Sequence, residues 1–325
     1  KGRGMNIRQL GLFLVPALLW SASSSPVDFK NRDNRIDVSI AGKPFTTYFF
    51  LPNIAKPYLM PLRTASGVVV TRGFPVENDV SAGDPKASSF EPHQRPLYWG
   101  HGDIDGLDFW QEEVFDHYYT DHGHQAYGHA KILNIKAEAE TITAHFSLRD
   151  PSEREIAQEQ QVFRFGGEGA VRIVDCEFTL TATAGPIVFG DTKEGSFGIR
   201  LAKELSGPGV AMTNSAGAHG EKEIWGKTAD WVSYQGEVGA APVTVVVFDH
   251  PSSFRHPTTW HARSYGLFAA NPFGWREFTH DANKDGSWTV EEGKQIVFRY
   301  RVLIADGKLS KEEIAKAYSQ YSVTK

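Results

Sequence analysis

The chain has 325 residues, 41% hydrophobic and 22% charged, which is enough to bury a sizeable core. Thirty-four Lys and Arg against 39 Asp and Glu give a formal net charge of -5, so composition argues against a nucleic-acid partner. Thirty-one glycines, 17 prolines and 12% aromatic residues favour many short strands joined by turns over long helices.

The first feature in chain order is the apolar run Leu10–Trp20, preceded by Met5 and Arg8 and followed by a small-residue stretch from Ser21 to Ser25. A cationic start, a short apolar core and a small-residue exit are the marks of a secretory signal peptide. A membrane span would need roughly 20 apolar residues. The expectation is therefore a signal peptide with its upstream residues over 1–23, a mature domain over 24–325, a secreted or periplasmic location and no membrane insertion.

Beyond the leader, period-two alternation dominates. Strands are predicted at 35–41, 44–50, 67–72, 141–148, 158–165, 170–182, 197–202, 231–236, 243–249, 260–269 and 296–304. In the last of these, Ile296, Phe298, Tyr300, Val302 and Ile304 share one face while Arg299 and Arg301 lie on the other, as an antiparallel sheet with one core face allows. Cys176, the one cysteine, shares an apolar face with Val174 and Phe178 and reads as a buried structural thiol. One helix is predicted, at the C-terminus: Ser310 and Glu313 form a capping box, Leu309 and Ile314 a hydrophobic staple, and Ile314, Ala317, Tyr318 and Tyr321 an apolar stripe. The predicted fold is an all-β, large antiparallel β-sandwich with a C-terminal helix.

Chemistry-bearing residues concentrate in two stretches. Six of the 12 histidines fall between His93 and His129, in a run that includes Trp99, Gly100, His101, Gly102, Asp103, Asp105, Asp108 and Trp110. Glycines beside His101 leave room for a ligand, and the aspartates suit imidazole orientation or proton transfer. The second stretch contains Lys193 and Glu194, then Trp260, His261 and Arg263; the last two are two apart on a strand and project to one side.

Two metal patterns also occur. His122 and His124 would share a strand face, but no zinc-enzyme ligand motif accompanies them. Residues 281–292 fit the fixed positions of a calcium loop, from Asp281, Asn283 and Asp285 through Gly286 to Glu292. The flanks do not suit a helix-loop-helix, so a structural calcium ion competes here with a plain hairpin. No Walker loop, dinucleotide fingerprint or serine-hydrolase elbow is present.

Taken together, Lys56-Pro57-Tyr58, Val70-Thr71-Arg72, Pro92-His93-Gln94-Arg95, His101 to Trp110, Lys193-Glu194-Gly195, Gly198-Ile199-Arg200, Trp260-His261-Ala262-Arg263 and Asn271-Pro272-Phe273-Gly274 resemble the bacterial PmoA-like family, labelled "methane oxygenase PmoA". Phe90-Glu91 stand where that family commonly shows Asp-His, and Gln94 and Asp105 where a second His and an Asn are frequent. The membrane subunit of the same name has several spans, and this chain has none after its leader. The resemblance thus implies an exported protein with a mutarotase-like supersandwich, a scaffold associated with carbohydrates.

The resulting expectation is a carbohydrate-active enzyme that cleaves or modifies glycosides or oxidised sugars, hydrolase- or lyase-like. His101, Asp103, Glu194 and His261 would be catalytic, with His101 or Glu194 the general acid/base and Asp103 the orienting group. His93, Trp99, Lys193, Trp260 and Arg263 would bind substrate, the tryptophans as sugar platforms and the cations against oxyanion charge. The alternatives are a non-catalytic carbohydrate-binding protein and a metal-dependent oxygenase or lyase. No cofactor is called for beyond the structural calcium ion considered above, and no metal ligand is assigned.

Overall fold

The computed structural model describes residues 25–52, 54–74, 91–113 and 126–324. In chain order the first strands are β1 (Val27–Arg32), β2 (Arg35–Ile40), β3 (Lys43–Phe49), β4 (Tyr58–Met60), β5 (Leu97–His101), β6 (Leu107–Asp108), β7 (Ala126–Tyr127), β8 (His129–Glu138) and β9 (Thr141–Arg149). Then come β10 (Glu155–Gly166), β11 (Val171–Ala182), β12 (Ile187–Phe189), β13 (Gly195–Arg200), β14 (Ala211–Asn214) and the short helix α1 (Gly220–Ile224). The chain ends with β15 (Trp231–Val238), β16 (Ala241–Asp249), β17 (Trp260–Ala262), β18 (Leu267–Ala270), α2 (Trp275–Thr279), β19 (Trp288–Val290), β20 (Gln295–Asp306) and α3 (Lys311–Tyr321).

Two eight-stranded antiparallel sheets make the expected all-β sandwich. The first has the order β1-β2-β3-β4-β5-β13-β18-β17, the second β14-β15-β16-β20-β11-β10-β9-β8. Their facing sides share one core. Trp99 of the first sheet packs on Phe178 and Phe298 of the second, and Phe197 stacks on Tyr300 with ring centroids 4.6 Å apart. Cys176 is buried in this core, where desolvation pushes its thiol pKa well up, as a structural thiol requires.

The charged positions of β20 are explained by register. Arg299 lies opposite Glu177 and Arg301 opposite Asp175 on β11, and the guanidinium contacts are 2.6 and 2.5 Å. On this same outer face lies α3, whose capping box forms as expected. Ile314, Ala317 and Tyr321 dock against Trp231, Val246, Phe248, Leu303 and Ala305.

Several elements depart from the sequence reading. The predicted strand at 67–72 is reduced to isolated bridges, Arg63 with Val69 and Thr71 with Leu201. The single run predicted at 260–269 is a hairpin, β17 and β18, turning at Gly266 with φ 95°. β5 shows no alternation because all five of its residues are buried, so both faces are covered. β1 and β8 are edge strands with mostly exposed or half-exposed positions, where apolar periodicity is weak.

Candidate functional site

On the outer face of the first sheet, away from the sandwich core, Ile54 and Trp110 from the segments flanking β4 and β5 pack over the strands. Phe49, Tyr58, Met60, Tyr98, Trp110, Leu267 and Ala269 form a separate apolar cluster there. Beneath the 91–113 loop lies a buried ion group. Glu112 bridges Lys56 (3.2 Å) and Arg95, and Lys56 also donates to the carbonyl of Trp110. All three charged side chains are 3% exposed or less. Burial pulls Lys56 down to about 8 despite Glu112. This group ties together the segments before β4, before β5 and after β6, and so fixes the stretch that carries Glu91 and His93.

Around that anchor the structure gathers Glu91, His93, Lys193, Glu194, Arg200, His261 and Arg263. Glu194 precedes β13, and its backbone comes close to the end of β5: Gly102 N donates to Glu194 O at 2.7 Å. A Cβ at position 102 would stand 2.9 Å from Glu194 Cβ, so this approach requires glycine. Solvent reaches 31% of the Glu194 side chain, yet the protein around it pushes its pKa up to about 7. Burial is the main cause; Lys193 opposes it, and Glu91 and Glu277 add to it.

Glu91 is the second carboxylate. Burial raises its pKa even against the charges of Arg200, Arg72, Lys193 and Arg263. Its Oε2 lies 3.6 Å from His93 Nδ1, and its backbone has φ 43°. Arg72 donates to the carbonyls of Glu91 (3.0 Å) and Gln94 (3.1 Å), which holds that turn. Arg200 donates to Gln94 Oε1 at 2.7 Å and lies over the Tyr265 ring at 4.5 Å.

Lys193 Nζ reaches Glu277 Oε1 of α2 at 2.8 Å and Glu194 Oε1 at 3.4 Å. Burial works against its charge, but the two glutamates prevail and its pKa is raised. Arg263 pairs with Glu221 of α1 at 2.8 Å. His261 is 3% exposed, with Nδ1 3.1 Å from the carbonyl of Lys193. A carbonyl only accepts, so Nδ1 carries the proton and Nε2 presents a lone pair. Burial lowers the ring to about 4, and it is neutral near pH 7. His93, 2% exposed, is likewise pushed well below its ordinary value, by burial first and then by Lys56 and Arg95.

Four expected site residues take other places. His101 is fully buried between Phe189 and Phe273, with Nε2 2.9 Å from Gly190 O and Nδ1 3.4 Å from Ser196 Oγ. Both nitrogens are engaged, and burial lowers its pKa to about 4. Asp103 does not orient that ring; its Oδ1 accepts from Gly106 N at 2.9 Å and caps a tight turn. Trp99 points into the core between the sheets, and Trp260, also buried, donates to Ala229 O at 2.8 Å. Neither tryptophan offers a face to a sugar. Both lie at strand positions whose partners across the sheet face the core, which spacing alone does not reveal.

In the 281–292 segment the candidate calcium ligands make local contacts. Asp281 Oδ1 accepts from Asn283 N, and Asp285 Oδ1 from Ser287 N, so both carboxylates close local turns. The guanidinium of Arg255 ties the segment to its neighbours: it donates to the carbonyls of Pro272, Gly286 and Ser287 and stacks over Trp275 at 4.3 Å. Among the described residues no group of three His, Cys, Asp or Glu side chains converges on a metal position. His117, His122 and His124 lie outside the described residues, as does the leader at 1–23. His129, on β8, pairs with Glu153 at 2.9 Å.

Sequence reasoning passed over Arg200, Glu277 and Tyr98 as site residues, and considered Glu91 only as a stand-in for the Asp-His pair of the resembled family. Glu91 stands two residues before His93, and Arg200 closes the quoted motif Gly198-Ile199-Arg200, so nearness to these motifs was an available signal. Glu277 and Tyr98 had none.

A family model described as "Family of unknown function (DUF6807)" matches residues 35–319. The chain belongs to this family. No curated protein matches the sequence. This DUF6807 chain is similar to a 4-alpha-glucanotransferase from Thermococcus litoralis, at 10% identity and TM-score 0.37, over 87% of this chain and 40% of that one. It is similar to an alpha-galactosidase from Geobacillus stearothermophilus crystallised with raffinose, at 9% identity and TM-score 0.36, over 86% and 41% of the two chains. A galactose mutarotase related enzyme from Lactobacillus acidophilus gives 7% identity and TM-score 0.31, covering 87% of this chain and 100% of that one. The DUF6807 chain thus spans about two-fifths of the glucanotransferase and galactosidase chains. Among its described residues no helix is long and apolar enough to cross a membrane.

Proposed function

We propose that this protein is an exported enzyme that carries out general acid–base chemistry on a hydroxyl-rich, sugar-like substrate, with Glu194 as the proton-carrying group. One observation carries the reading: a carboxyl group one-third open to solvent, with a pKa of about 7, flanked by a second carboxyl of raised pKa. A group with its pKa near the working pH supplies both the acid and the base form, which is the condition for efficient proton transfer. Perturbed carboxyls beside specific charge partners in one partly open cluster make a functional-site candidate with a stated physical basis.

In this reading Glu91 is the partner carboxylate, which takes the place of the Asp-His pair expected from the PmoA-like resemblance. Arg263 and Lys193 hold developing negative charge, and each is kept in place by its own glutamate. His261, neutral and uncharged toward the substrate, accepts a hydroxyl hydrogen bond. His101, Asp103, Trp99 and Trp260 take no part beyond support.

A mass-spectrometric turnover screen of the protein with neutral, uronic and 3-keto glycosides tests it, with Glu194→Gln as the control. New products that vanish in the variant support the reading and name the substrate class. Sugar binding with no product in any pair would leave a non-catalytic carbohydrate-binding protein in its place.

A further inference from the structure

Strand register sets one row of residues straight across the outer face of the first sheet. Tyr58 on β4 pairs with Tyr98 on β5, and Tyr98 with Gly198 on β13. Gly198 then pairs with Ala269 on β18, and Ala269 with His261 on β17. Directly opposed residues project to the same face. The row therefore has two phenols at one end, an imidazole at the other, and a hydrogen and a methyl group between them. The glycine is needed: a Cβ on Gly198 would stand 2.9 Å from Tyr98 Cζ and 3.0 Å from its hydroxyl, so the ring leans over that position.

The polar ends of this row are buried and unspent. Tyr98 is 1% exposed and His261 3%, and neither Tyr98 Oη nor His261 Nε2 has a hydrogen-bond partner among the described residues. Such atoms are rare in native proteins because leaving one unmet costs about 1–3 kcal/mol. Both flank the Lys193–Glu194 step. His261 is bonded to the carbonyl of Lys193, and Tyr98 lies close enough to Glu194 for that carboxylate to act on its phenol.

We infer that Tyr98 and His261 are the hydroxyl-reading contacts of the Glu194 site, Tyr98 Oη donating to a ligand oxygen and His261 Nε2 accepting from a ligand O–H. The inference rests on the proposed sugar site and deepens it by naming the group that is recognised. A hydroxyl both donates and accepts, so one class of group satisfies both atoms. A carboxylate or phosphate oxygen has no proton to give and would set its charge against the lone pair of Nε2. The two ends of the row thus select a neutral polyol edge. Burial keeps the phenol of Tyr98 protonated and His261 unprotonated, the states the contacts need.

The test uses the full chain with its histidines 15N-labelled, titrated with D-galactose, D-glucose and D-glucuronate and followed by NMR. His261→Gln assigns the ring, and Tyr98→Phe and Gly198→Ala probe the row. The expected result is an unprotonated His261 Nε2 at pH 7 whose signal moves with at least one sugar. Tyr98→Phe should weaken that sugar about five- to tenfold, the worth of one hydrogen bond, while the sugar-free thermal midpoint holds or rises because an unmet buried hydroxyl is removed. Gly198→Ala should weaken it in the same direction by displacing the phenol. A proton on Nε2, no response to any of the three sugars, or native affinity in Tyr98→Phe overturns the inference. Binding in this pattern without turnover would sink the enzymatic reading alone. Turnover that is indifferent to Tyr98→Phe would sink this one alone.

Discussion

Glu159→Gln should stabilise the protein, and by an amount that grows with pH. Glu159 faces the core from β10, opposite Phe146 on one side and Leu180 on the other, and is 3% exposed. One polar contact meets its carboxyl: Gln161 Nε2 donates to Oε1 at 2.8 Å, and Gln161 in turn accepts from the Tyr48 hydroxyl. No cation offsets the burial, which pushes the pKa from 4.5 to about 8. Between those two values the folded protein keeps a proton that the unfolded chain releases. Stability is therefore whole below about pH 4.5 and falls as pH rises, by about 1.4 kcal/mol per unit, until the folded group ionises near pH 8.

At pH 7 the loss amounts to about 3 kcal/mol. Glutamine has the shape of the protonated acid and does not titrate, so the variant escapes that loss. An unfolding entropy of about 2 cal/mol/K per residue over roughly 300 residues converts about 3 kcal/mol into about 5 °C of midpoint. Scanning calorimetry of both proteins from pH 4.5 to 8.5 reads the difference. Curves that coincide at the acid end and separate by about 5 °C at neutrality are expected. A difference that stays constant with pH would refute the reasoning, because Glu159 would then be ionised throughout with a partner in the core.

Three further outcomes follow from the site and its supports. Glu112→Gln leaves Lys56 and Arg95 buried without their shared carboxylate, and should cost about 3–5 kcal/mol, read as a midpoint about 5–8 °C lower; adding Lys56→Met should recover part of it, and no recovery would speak against charge as the cause. Arg255→Ala should lower the thermal midpoint and loosen the 281–292 segment in hydrogen exchange, whereas calcium and chelator should leave the native midpoint where it is; a calcium-dependent rise would restore the metal reading. If turnover is found, its pH profile should show a limb near 7 set by Glu194, absent in any residual activity of Glu194→Gln; the same limb in the variant would move the assignment to another group.

Local signals carried the secondary structure where one face is buried and the other is not. The capping box of α3 is complete within four residues, and β20 shows its core face in plain alternation, so both were legible. The arginines on the far face of β20 were legible as polar but not as paired, since Asp175 and Glu177 meet them only through register with β11. Half of the candidate site was visible for the same local reason. His261 and Arg263 stand two apart at the end of one strand, and Lys193 and Glu194 stand together before another.

The other half depended on contacts between distant segments. Whether an aromatic in a strand points inward or outward is decided by which sheet face meets the core. Trp99 and Tyr98 are neighbours in sequence, yet one packs on Phe178 and the other leans over Gly198 on the opposite side. His101 and His261 look equally suited to proton transfer in the sequence. Tertiary packing gives the first two partners and leaves the second a buried lone pair. The sequence by itself determined the composition, the strand-rich class and the helix cap, because these depend on residues a few positions apart. The pKa of Glu194, the neutral state of His261 and the alignment of Tyr98 with it were decided by the tertiary structure alone, because burial and register are properties of chain segments that meet only when the sheet has formed.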